Sequence, residues 1–291
     1  MFKGSLPALI TPFKKGEVDE DSFRSFVDWQ IEEGSDGLVP CGTTGESPTL
    51  SHQEHMKVTE ICIDEAKGRL PVVAGAGSNS TKEAVDLTQH AKDAGADAAL
   101  VVTPYYNKPT QNGMYEHFKA VQDVGLPVII YNIPARSVID MTPETMAKLA
   151  KLPNIVGVKD ATANLTRPQM TKIALHGSKF CHLSGEDGTA VPFLAAGGDG
   201  CISVTANIAP RMCADMQRAW RKRRIDDCLK LQDRLMPVHD SLFCETSPGP
   251  VKYAASMLGK CTAELRLPMT DIAESSKETV RQALVGAGLL N

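Results

Sequence analysis

Several features that mark specialised protein classes are missing from this sequence of 291 residues. Aromatic residues make up only 5% of the chain. No apolar run approaches the roughly 20 residues that a transmembrane helix needs. The 35 acidic and 31 basic residues nearly balance, so no excess of positive charge favours nucleic acid or an anionic membrane as a partner. The N-terminal segment has no long apolar h-region, so we expect no signal peptide and a cytoplasmic protein.

Sequence patterns of metal and dinucleotide sites are also missing. The eight cysteines form no C-x-x-C pair, and most of them lie inside apolar segments. Free buried thiols in a reducing compartment explain this usage better than disulfides or a metal site do. Residues 75–80 come near to the Gly-x-Gly-x-x-Gly pattern of dinucleotide-binding folds, but they fail at its last position.

Eight short apolar runs recur along the chain, and each is followed by a helix-like stretch. The runs consist of adjacent β-branched and aliphatic residues rather than an alternating pattern, which is typical of parallel strands buried on both faces. They span residues 6–10, 37–40, 70–74, 98–102, 126–131, 155–158, 180–183 and 200–204.

Cap residues mark the starts of the stretches between the runs. Asp19 and Ser51 stand before helix-like sequence, and Thr142 is followed by a proline at a predicted first helical position. Ser80 precedes Glu83 by three residues, which predicts a capping box. Strands and helices that alternate in this way form right-handed βαβ units around a parallel sheet.

Eight such units favour an α/β fold of the (β/α)8 TIM-barrel type over an open doubly wound sheet. Helices predicted at 209–222, 224–241, 248–258 and 273–287 follow the last run, and only one of them is needed to complete the barrel. We therefore predict a catalytic barrel over residues 1–223 and a C-terminal helical extension over residues 224–291.

Lys159 directly follows the sixth apolar run, and in this fold the chemistry takes place at the C-terminal ends of the strands. Burial at such a position favours the uncharged amine, which can attack a carbonyl carbon and form a Schiff base. A lysine at the end of a strand can instead be structural, for example paired with Asp160. Other residues predicted at the same face of the barrel favour the catalytic interpretation.

Tyr131 ends the preceding run and is therefore expected beside Lys159. A phenol can move protons to and from a carbinolamine if a second hydroxyl relays them. Thr43 and Tyr106, which follow other runs, are candidates for that relay. Taken singly, each of these hydroxyl groups could also be structural.

Two further features suit the binding of carboxylates. Thr43 and Thr44 stand between two glycines, which offers backbone N–H groups and hydroxyl groups together to a small carboxylate. Arg136 comes just after the fifth run and is suited to bidentate capture of a second carboxylate.

Five motifs, in their order and spacing, resemble the dihydrodipicolinate synthase family of pyruvate-dependent class I aldolases. The resemblance extends over essentially the whole chain, and Asp160 is a departure from it because the family commonly has glutamate there. The motifs are Gly42-Thr43-Thr44-Gly45-Glu46, Tyr105-Tyr106-Asn107, Tyr131-Asn132-Ile133-Pro134, Val158-Lys159-Asp160-Ala161-Thr162 and Ile202-Ser203-Val204-Thr205-Ala206-Asn207.

The resemblance implies a reaction and a catalytic set. Lys159 would form a Schiff base with pyruvate, and Tyr131, Thr43 and Tyr106 would form the proton relay, with Tyr106 contributed by a neighbouring subunit. The product would be 4-hydroxy-tetrahydrodipicolinate, made from pyruvate and L-aspartate 4-semialdehyde in an early step of diaminopimelate and L-lysine synthesis. The family is usually a homotetramer, a dimer of dimers, and needs no metal or organic cofactor.

The resemblance also implies substrate contacts and a regulatory site. Thr44, the backbone of Ile202 and Gly185 would line the pyruvate site, and Arg136 would hold the carboxylate of the semialdehyde. L-Lysine would inhibit by binding at a subunit interface. The positions that match this effector site are Ser47, Pro48, Leu50, His52, His55, Asn79, Glu83 and Tyr105.

Without the resemblance, several of these effector residues have simpler interpretations. His52 and His55 lie one turn apart, which is typical of a solvated helix face, and they lack a third ligand for zinc. Glu83 lies near a predicted helix start, where the helix dipole alone favours an acidic residue.

Two rival functions remain open at this point. A sister aldolase, such as N-acetylneuraminate lyase or a 2-keto-3-deoxy-sugar-acid aldolase, would share the lysine and the tyrosine but resembles this sequence less at Arg136 and at Tyr105-Tyr106. A non-catalytic barrel that senses a 2-oxo acid or lysine would be expected to lack at least one catalytic group, and none of the four is missing.

Overall fold

The computed structural model describes residues 2–290. Within this range the strands are β1 (Gly4–Pro7), β2 (Phe13–Lys14), β3 (Glu17–Val18), β4 (Val73–Gly75), β5 (Ala98–Val102), β6 (Val128–Asn132), β7 (Ile155–Asp160), β8 (Cys181–Ser184) and β9 (Gly200–Ser203). The helices are α1 (Glu20–Glu32), α2 (His52–Ala66), α3 (Thr81–Ala94), α4 (Gln111–Gln122), α5 (Pro134–Ser137), α6 (Pro143–Leu149), α7 (Arg167–Leu175), α8 (Ala190–Ala195), α9 (Pro210–Arg221), α10 (Ile225–Ser241), α11 (Gly249–Met257) and α12 (Glu274–Gly286).

The chain clusters into two compact units. The first comprises Val72–Ile202 with Phe2 and Lys3, and the second comprises Gly4–Pro71 with residues 203–290. The division into a barrel over 1–223 and an extension over 224–291 stays a prediction.

The first unit is built on a parallel sheet in which sequential strands are neighbours. Its strands pair in the order β9-β8-β7-β6-β5-β4. The residues of these strands are almost all buried, which explains their continuous apolar composition. Helices α3 to α8 lie between successive strands or follow them, as right-handed crossover connections require.

The second unit begins with β1 and an antiparallel hairpin of β2 and β3. The predicted run 37–40 is shorter in the structure than we expected, because its pairing is reduced to a parallel bridge between Ala8 and Val39. Leu38 extends this contact by donating to the carbonyl of Pro71 at 2.9 Å. Pro40 supplies no N–H group, so a longer ladder cannot form there.

The order of parallel strands and crossover helices is that of a (β/α)8 barrel, which confirms the predicted fold class. The helices predicted after the last strand are confirmed as well, because α9 to α12 coincide with the four predicted stretches.

The helix caps mostly follow the sequence signals. Ser51 forms a complete capping box with Glu54, whereas the capping box predicted for Ser80 is only half present. The hydroxyl of Ser80 accepts from the N–H of Glu83, but the Glu83 carboxylate accepts from the hydroxyl of Ser78 instead of the cap. The backbone N–H of Ser80 already donates to Ser78 Oγ at 3.0 Å, so Glu83 is left to bond elsewhere.

The cysteines are all free thiols, and six of the eight are buried. Burial raises the pKa of the thiols of Cys41 and Cys181 to about 12, so these groups hold their protons. Of the two cysteines that are not buried, Cys244 is exposed and Cys261 is half-buried. Among residues 2–290, no helix is both long enough and apolar enough to span a membrane.

Two buried histidines in the first unit make stability depend on pH. Burial lowers the pKa of both His117 and His182 to about 4, with Lys172 contributing for His182. In the unfolded chain a histidine titrates near its ordinary value of about 6.5, so the unfolded state binds more protons between these two values. The stabilising contribution is therefore fully present above about pH 6.5 and is lost as the pH falls towards 4.

We predict that the free energy of unfolding, measured by urea denaturation, falls by on the order of a few kcal/mol between pH 7 and pH 4.5. In the double variant His117→Gln/His182→Gln this fall should be clearly smaller. The exposed His176, changed to Asn, serves as the control and should keep the wild-type profile. An unchanged pH dependence in the double variant would contradict the assignment.

Candidate active site

Lys159 and Tyr131 are direct neighbours across the sheet of the first unit. They are register partners in the parallel pair β6–β7, and Lys159 Nζ lies 4.2 Å from the centroid of the Tyr131 ring. Only 5% of Lys159 is exposed, and Tyr131 is buried as well. The strand pairing therefore holds a buried amine against an aromatic ring that carries a hydroxyl group.

The neighbouring Asp160 has other partners than Lys159. Its Oδ1 accepts from the backbone N–H of Thr162 at 2.9 Å and from the Thr162 hydroxyl at 2.6 Å. Its Oδ2 lies 3.9 Å from Arg167 Nε. Burial raises the pKa of the Asp160 carboxyl, while the hydrogen bonds from Thr162 and the charge of Arg167 act in the opposite direction. These contacts do not match the structural alternative, in which Asp160 would pair with Lys159.

Arg167 is a residue that the sequence interpretation missed. It is buried and forms an ion pair with Asp140 in addition to its contact with Asp160. Asp140 also accepts from Asn132 Nδ2 at 2.7 Å. Because Asn132 ends β6 and Asp160 ends β7, this network fixes the two strand ends that carry Tyr131 and Lys159. No local motif around Arg167 indicates this, since its ion-pair partner Asp140 is 27 positions away.

Gly185 and Ile202 lie on the neighbouring strands β8 and β9 or just after them. The N–H of Gly185 donates to the carbonyl of Asp160 at 2.7 Å. A Cβ atom on Gly185 would lie 2.7 Å from the Cβ of Ala161, so only glycine fits at this approach of two backbones. Ile202 is fully buried in β9.

Glu186 is a second residue to which the sequence interpretation assigned no role. Burial raises the pKa of its carboxyl, as does the nearby Asp187, whereas the positive charges of Lys159 and Arg136 lower it. Lys159 and Arg136 therefore both act electrostatically on this carboxyl. The motif Ser184-Gly185-Glu186 at a strand end was the available signal.

Tyr106 and Arg136 lie on the surface of the first unit. Arg136 is exposed in the short helix α5, which begins with Pro134. Tyr106 is 88% exposed and has a left-handed backbone with φ of 72°. Tyr105 beside it is also exposed, although less so. So large an exposed fraction is uncommon for an aromatic side chain.

Thr43 and Thr44 lie in the second unit, in a tight loop. The N–H of Gly45 donates to the carbonyl of Gly42 at 3.1 Å, and the N–H of Glu46 donates to the carbonyl of Thr43 at 3.1 Å. The hydroxyl of Thr11 donates to the carbonyl of Gly45 at 2.7 Å. Thr44 is buried and Thr43 half-buried. The loop is thus a compact turn that is held by its own hydrogen bonds and by Thr11.

The predicted effector residues of the second unit follow directly after this loop. Ser47 and Pro48 belong to the 3₁₀ helix Ser47–Thr49, and Leu50 ends it. His52 and His55 lie in the first turn of α2. The two histidines differ in exposure, because His52 is exposed while His55 is buried, so the pair is not a uniformly solvated face.

The predicted effector residues of the first unit, Asn79, Glu83 and Tyr105, are close to one another. Burial raises the pKa of Tyr105, the charge of Glu83 raises it further, and hydrogen bonds to Asn79 and Ser78 lower it. Asn107 Nδ2 donates to the carbonyl of Asn79 at 2.9 Å. Glu83 thus places a negative charge beside a partly buried phenol. In the described residues, 2–290, no group of three or more His, Cys, Asp or Glu side chains could hold a metal ion.

Comparison with known proteins identifies the family. A sequence model of the Dihydrodipicolinate synthetase family matches residues 1–287. The 4-hydroxy-tetrahydrodipicolinate synthase of Rhodospirillum centenum is 62% identical over 291 residues, which is all of both chains. The chloride-inhibited dihydrodipicolinate synthase of Acinetobacter baumannii, solved in complex with pyruvate, superposes with a TM-score of 0.97 at 44% identity over 100% of both chains. The enzyme of Cyanidioschyzon merolae, solved with lysine bound, superposes with a TM-score of 0.94 at 37% identity over 99% of both. The chain therefore belongs to the dihydrodipicolinate synthetase family, a family of lyases.

Proposed function

We propose that this chain condenses pyruvate with L-aspartate 4-semialdehyde through a Schiff base at Lys159 and so makes 4-hydroxy-tetrahydrodipicolinate. The observation that carries the proposal is the buried Lys159 amine, 4.2 Å from the centroid of the Tyr131 ring at the C-terminal end of β7. The relative at 62% identity bears the name of this activity, which favours it over N-acetylneuraminate cleavage. The step belongs to diaminopimelate and L-lysine synthesis.

The chemistry follows from an amine and a phenol in contact. The Lys159 amine attacks C2 of pyruvate, and the carbinolamine loses water to give the imine. Loss of a proton from C3 gives an enamine, which attacks the aldehyde carbon of the semialdehyde. The amino group of the semialdehyde then displaces Lys159 from C2 and closes the ring, so that one water is released overall. Tyr131, whose ring lies beside the amine, carries the protons, and Thr43 and Tyr106 extend the relay.

Both substrates carry a carboxylate, and hydroxyl, backbone and guanidinium groups are suited to bind them. Thr44 and the backbone of Ile202 hold the carboxylate of pyruvate, and Gly185 lines the site. Arg136 takes the carboxylate of the semialdehyde, because an exposed guanidinium can form two parallel hydrogen bonds to it. Burial raises the pKa of Glu186, and Lys159 and Arg136 both oppose that rise, which supports a site in which both groups act on the same carboxyl.

Tyr106 supports an oligomer, which we take to be a homotetramer built as a dimer of dimers. An aromatic ring that is 88% exposed suits insertion into a second copy of the chain, where it would complete the partner's relay. Leu165, Met170 and Ile173 form a further exposed apolar group at and before α7. The free cysteines agree with a cytoplasmic location, which we propose together with the biosynthetic role.

L-Lysine is the proposed effector, as binding of lysine by the Cyanidioschyzon merolae enzyme suggests. Its site would include Ser47, Pro48, Leu50, His52, His55, Asn79, Glu83 and Tyr105. Glu83 is suited to bind an ammonium group, because it is partly buried and lies in the first turn of α3 next to the Tyr105 phenol.

Trapping with borohydride tests the Schiff base. Incubation with pyruvate and sodium borohydride should inactivate the enzyme and leave a reduced adduct that peptide mass mapping assigns to Lys159. The variant Lys159→Arg should form no adduct and lose roughly 10³-fold or more in kcat. The exposed Lys148, changed to Arg, is the control and should behave as the wild type. An adduct on another lysine would refute the assignment.

A methyl group at position 185 tests the close approach of β8 to the end of β7. In Gly185→Ala the new Cβ would lie 2.7 Å from Ala161 Cβ and 3.2 Å from the carbonyl oxygen of Asp160. Because a small displacement of a catalytic group costs much rate, we expect kcat/KM for pyruvate to fall about tenfold or more. Gly286→Ala, where nothing lies within 4 Å of the added Cβ, should leave kcat/KM unchanged. Full activity of Gly185→Ala would count against this packing constraint.

Initial rates in L-lysine test the effector site. Millimolar L-lysine, the weak end of the affinity scale at about −4 kcal/mol, should lower the rate of the wild type. Glu83→Gln should weaken this inhibition while leaving the uninhibited rate close to the wild-type value. Glu116→Gln on the exposed face of α4 is the matched control and should be inhibited normally. Equal inhibition of the Glu83 and Glu116 variants would show that Glu83 does not bind the effector.

A further inference from the structure

Lys252 is a fully buried lysine in the C-terminal part of the second unit, with 0% of its surface exposed. Its Nζ lies 2.6 Å from Glu46 Oε1 and 2.6 Å from the carbonyl oxygen of Glu264. The same nitrogen is 3.9 Å from the centroid of the Phe13 ring. Burial lowers the pKa of Lys252, and the adjacent Glu46 carboxylate opposes that effect.

Both oxygens of the Glu46 carboxylate are held by this part of the chain. Oε1 accepts from Lys252 Nζ, and Oε2 accepts from the backbone N–H of Arg266 at 3.1 Å. Glu46 is itself buried. Removal of one partner from such a pair leaves a buried charge without compensation, which is strongly destabilising, whereas neutral replacement of both is often tolerated.

The backbone of Glu46 is in a conformation that a glutamate rarely adopts. Its φ is 55°, in the left-handed region, which is strained for a residue that carries a Cβ atom. The ion pair with Lys252 anchors the side chain of this residue and so holds the turn in place. The N–H of Glu46 donates in turn to the carbonyl of Thr43 at 3.1 Å.

The loop that precedes Glu46 has little freedom to adjust independently. A Cβ on Gly45 would lie 2.9 Å from the carbonyl oxygen of Leu9, so the backbone is already in close contact there. Thr43 and Thr44 therefore directly precede two residues that are both held, Gly45 by this contact and Glu46 by its ion pair with Lys252. A shift of Glu46 would be transmitted to both threonines through the Glu46-to-Thr43 hydrogen bond.

We propose that Lys252 is a positioning residue for the reaction, acting through Glu46 on the loop that presents Thr43 and Thr44. Lys252 touches neither substrate nor the reacting atoms. The link runs from α11, which carries Lys252, to the carboxylate of Glu46, then to the turn, and then to the two hydroxyl groups. The kinetic consequence of this inference rests on the proposed function, while its conformational consequence does not.

The first test measures the loop itself. In Lys252→Met, amide hydrogen exchange of peptides that contain residues 42–46 should become at least about tenfold faster under conditions where the variant is folded. Peptides that cover β7 should exchange as in the wild type. Lys230→Met, at an exposed position of α10, is the control and should change neither. Unchanged exchange of residues 42–46 would overturn the proposal whatever reaction the enzyme catalyses.

The second test separates positioning from stability. The double variant Glu46→Gln/Lys252→Met removes both buried charges, so it should recover much of the melting temperature that Lys252→Met loses. It should nevertheless keep a kcat/KM for pyruvate that is about ten- to a hundredfold below the wild type, because the anchor of the loop is still missing. Recovery of both melting temperature and kcat/KM in the double variant would show a purely structural role.

Trapping with pyruvate and borohydride separates this inference from the proposed function. The Lys252 variants should still form the reduced adduct at Lys159 with saturating pyruvate, because Lys159 and Tyr131 are unchanged. Absence of the adduct in the wild type would refute the proposed function. The hydrogen-exchange test of residues 42–46 would still decide whether Lys252 positions the loop. Loss of the adduct in the folded double variant alone would contradict a role limited to Thr43 and Thr44.

Discussion

The parallel pairing of β6 with β7 is the constraint on which the rest of the site depends. It sets Tyr131 directly opposite Lys159, so that the amine lies 4.2 Å from the centroid of the ring in a buried position. A carboxylate in that place would hold the lysine as an ion pair and reduce its nucleophilicity. Asp160 is engaged by Thr162 and Arg167 instead. Charged residues therefore lie at the strand end next to the amine, but the Asp160 carboxylate is paired with other groups and does not form an ion pair with Lys159.

Buried charges serve a similar purpose in each of the two units. In the first, the buried Arg167 lies beside the buried carboxylate of Asp160 at the end of β7 and also pairs with the exposed Asp140. In the second, Lys252 binds Glu46 at the end of the threonine loop. Because desolvation offsets most of the Coulombic gain of a buried pair, such pairs are a poor source of stability. Their value here is geometric, since each fixes a backbone segment next to residues that are assigned to the chemistry.

Much of the fold and part of the site could be predicted from local patterns. Continuous apolar runs predicted β5 to β9, and Lys159 was singled out by its position after one run together with the other residues predicted at the same face of the barrel. The failures have local causes: Pro40 shortens the run at 37–40, and Ser78 diverts the Glu83 side chain from its cap. Lys252 was not predicted because its partner is 206 positions away, and no spacing rule reports such a contact.

A crystal structure of the enzyme soaked with pyruvate tests the central claim most directly. We expect continuous electron density from Lys159 Nζ to C2 of pyruvate, with the Tyr131 hydroxyl group within hydrogen-bonding distance of the new linkage. Pyruvate bound without a covalent link at saturating concentration, or linked to a different lysine, would contradict the account.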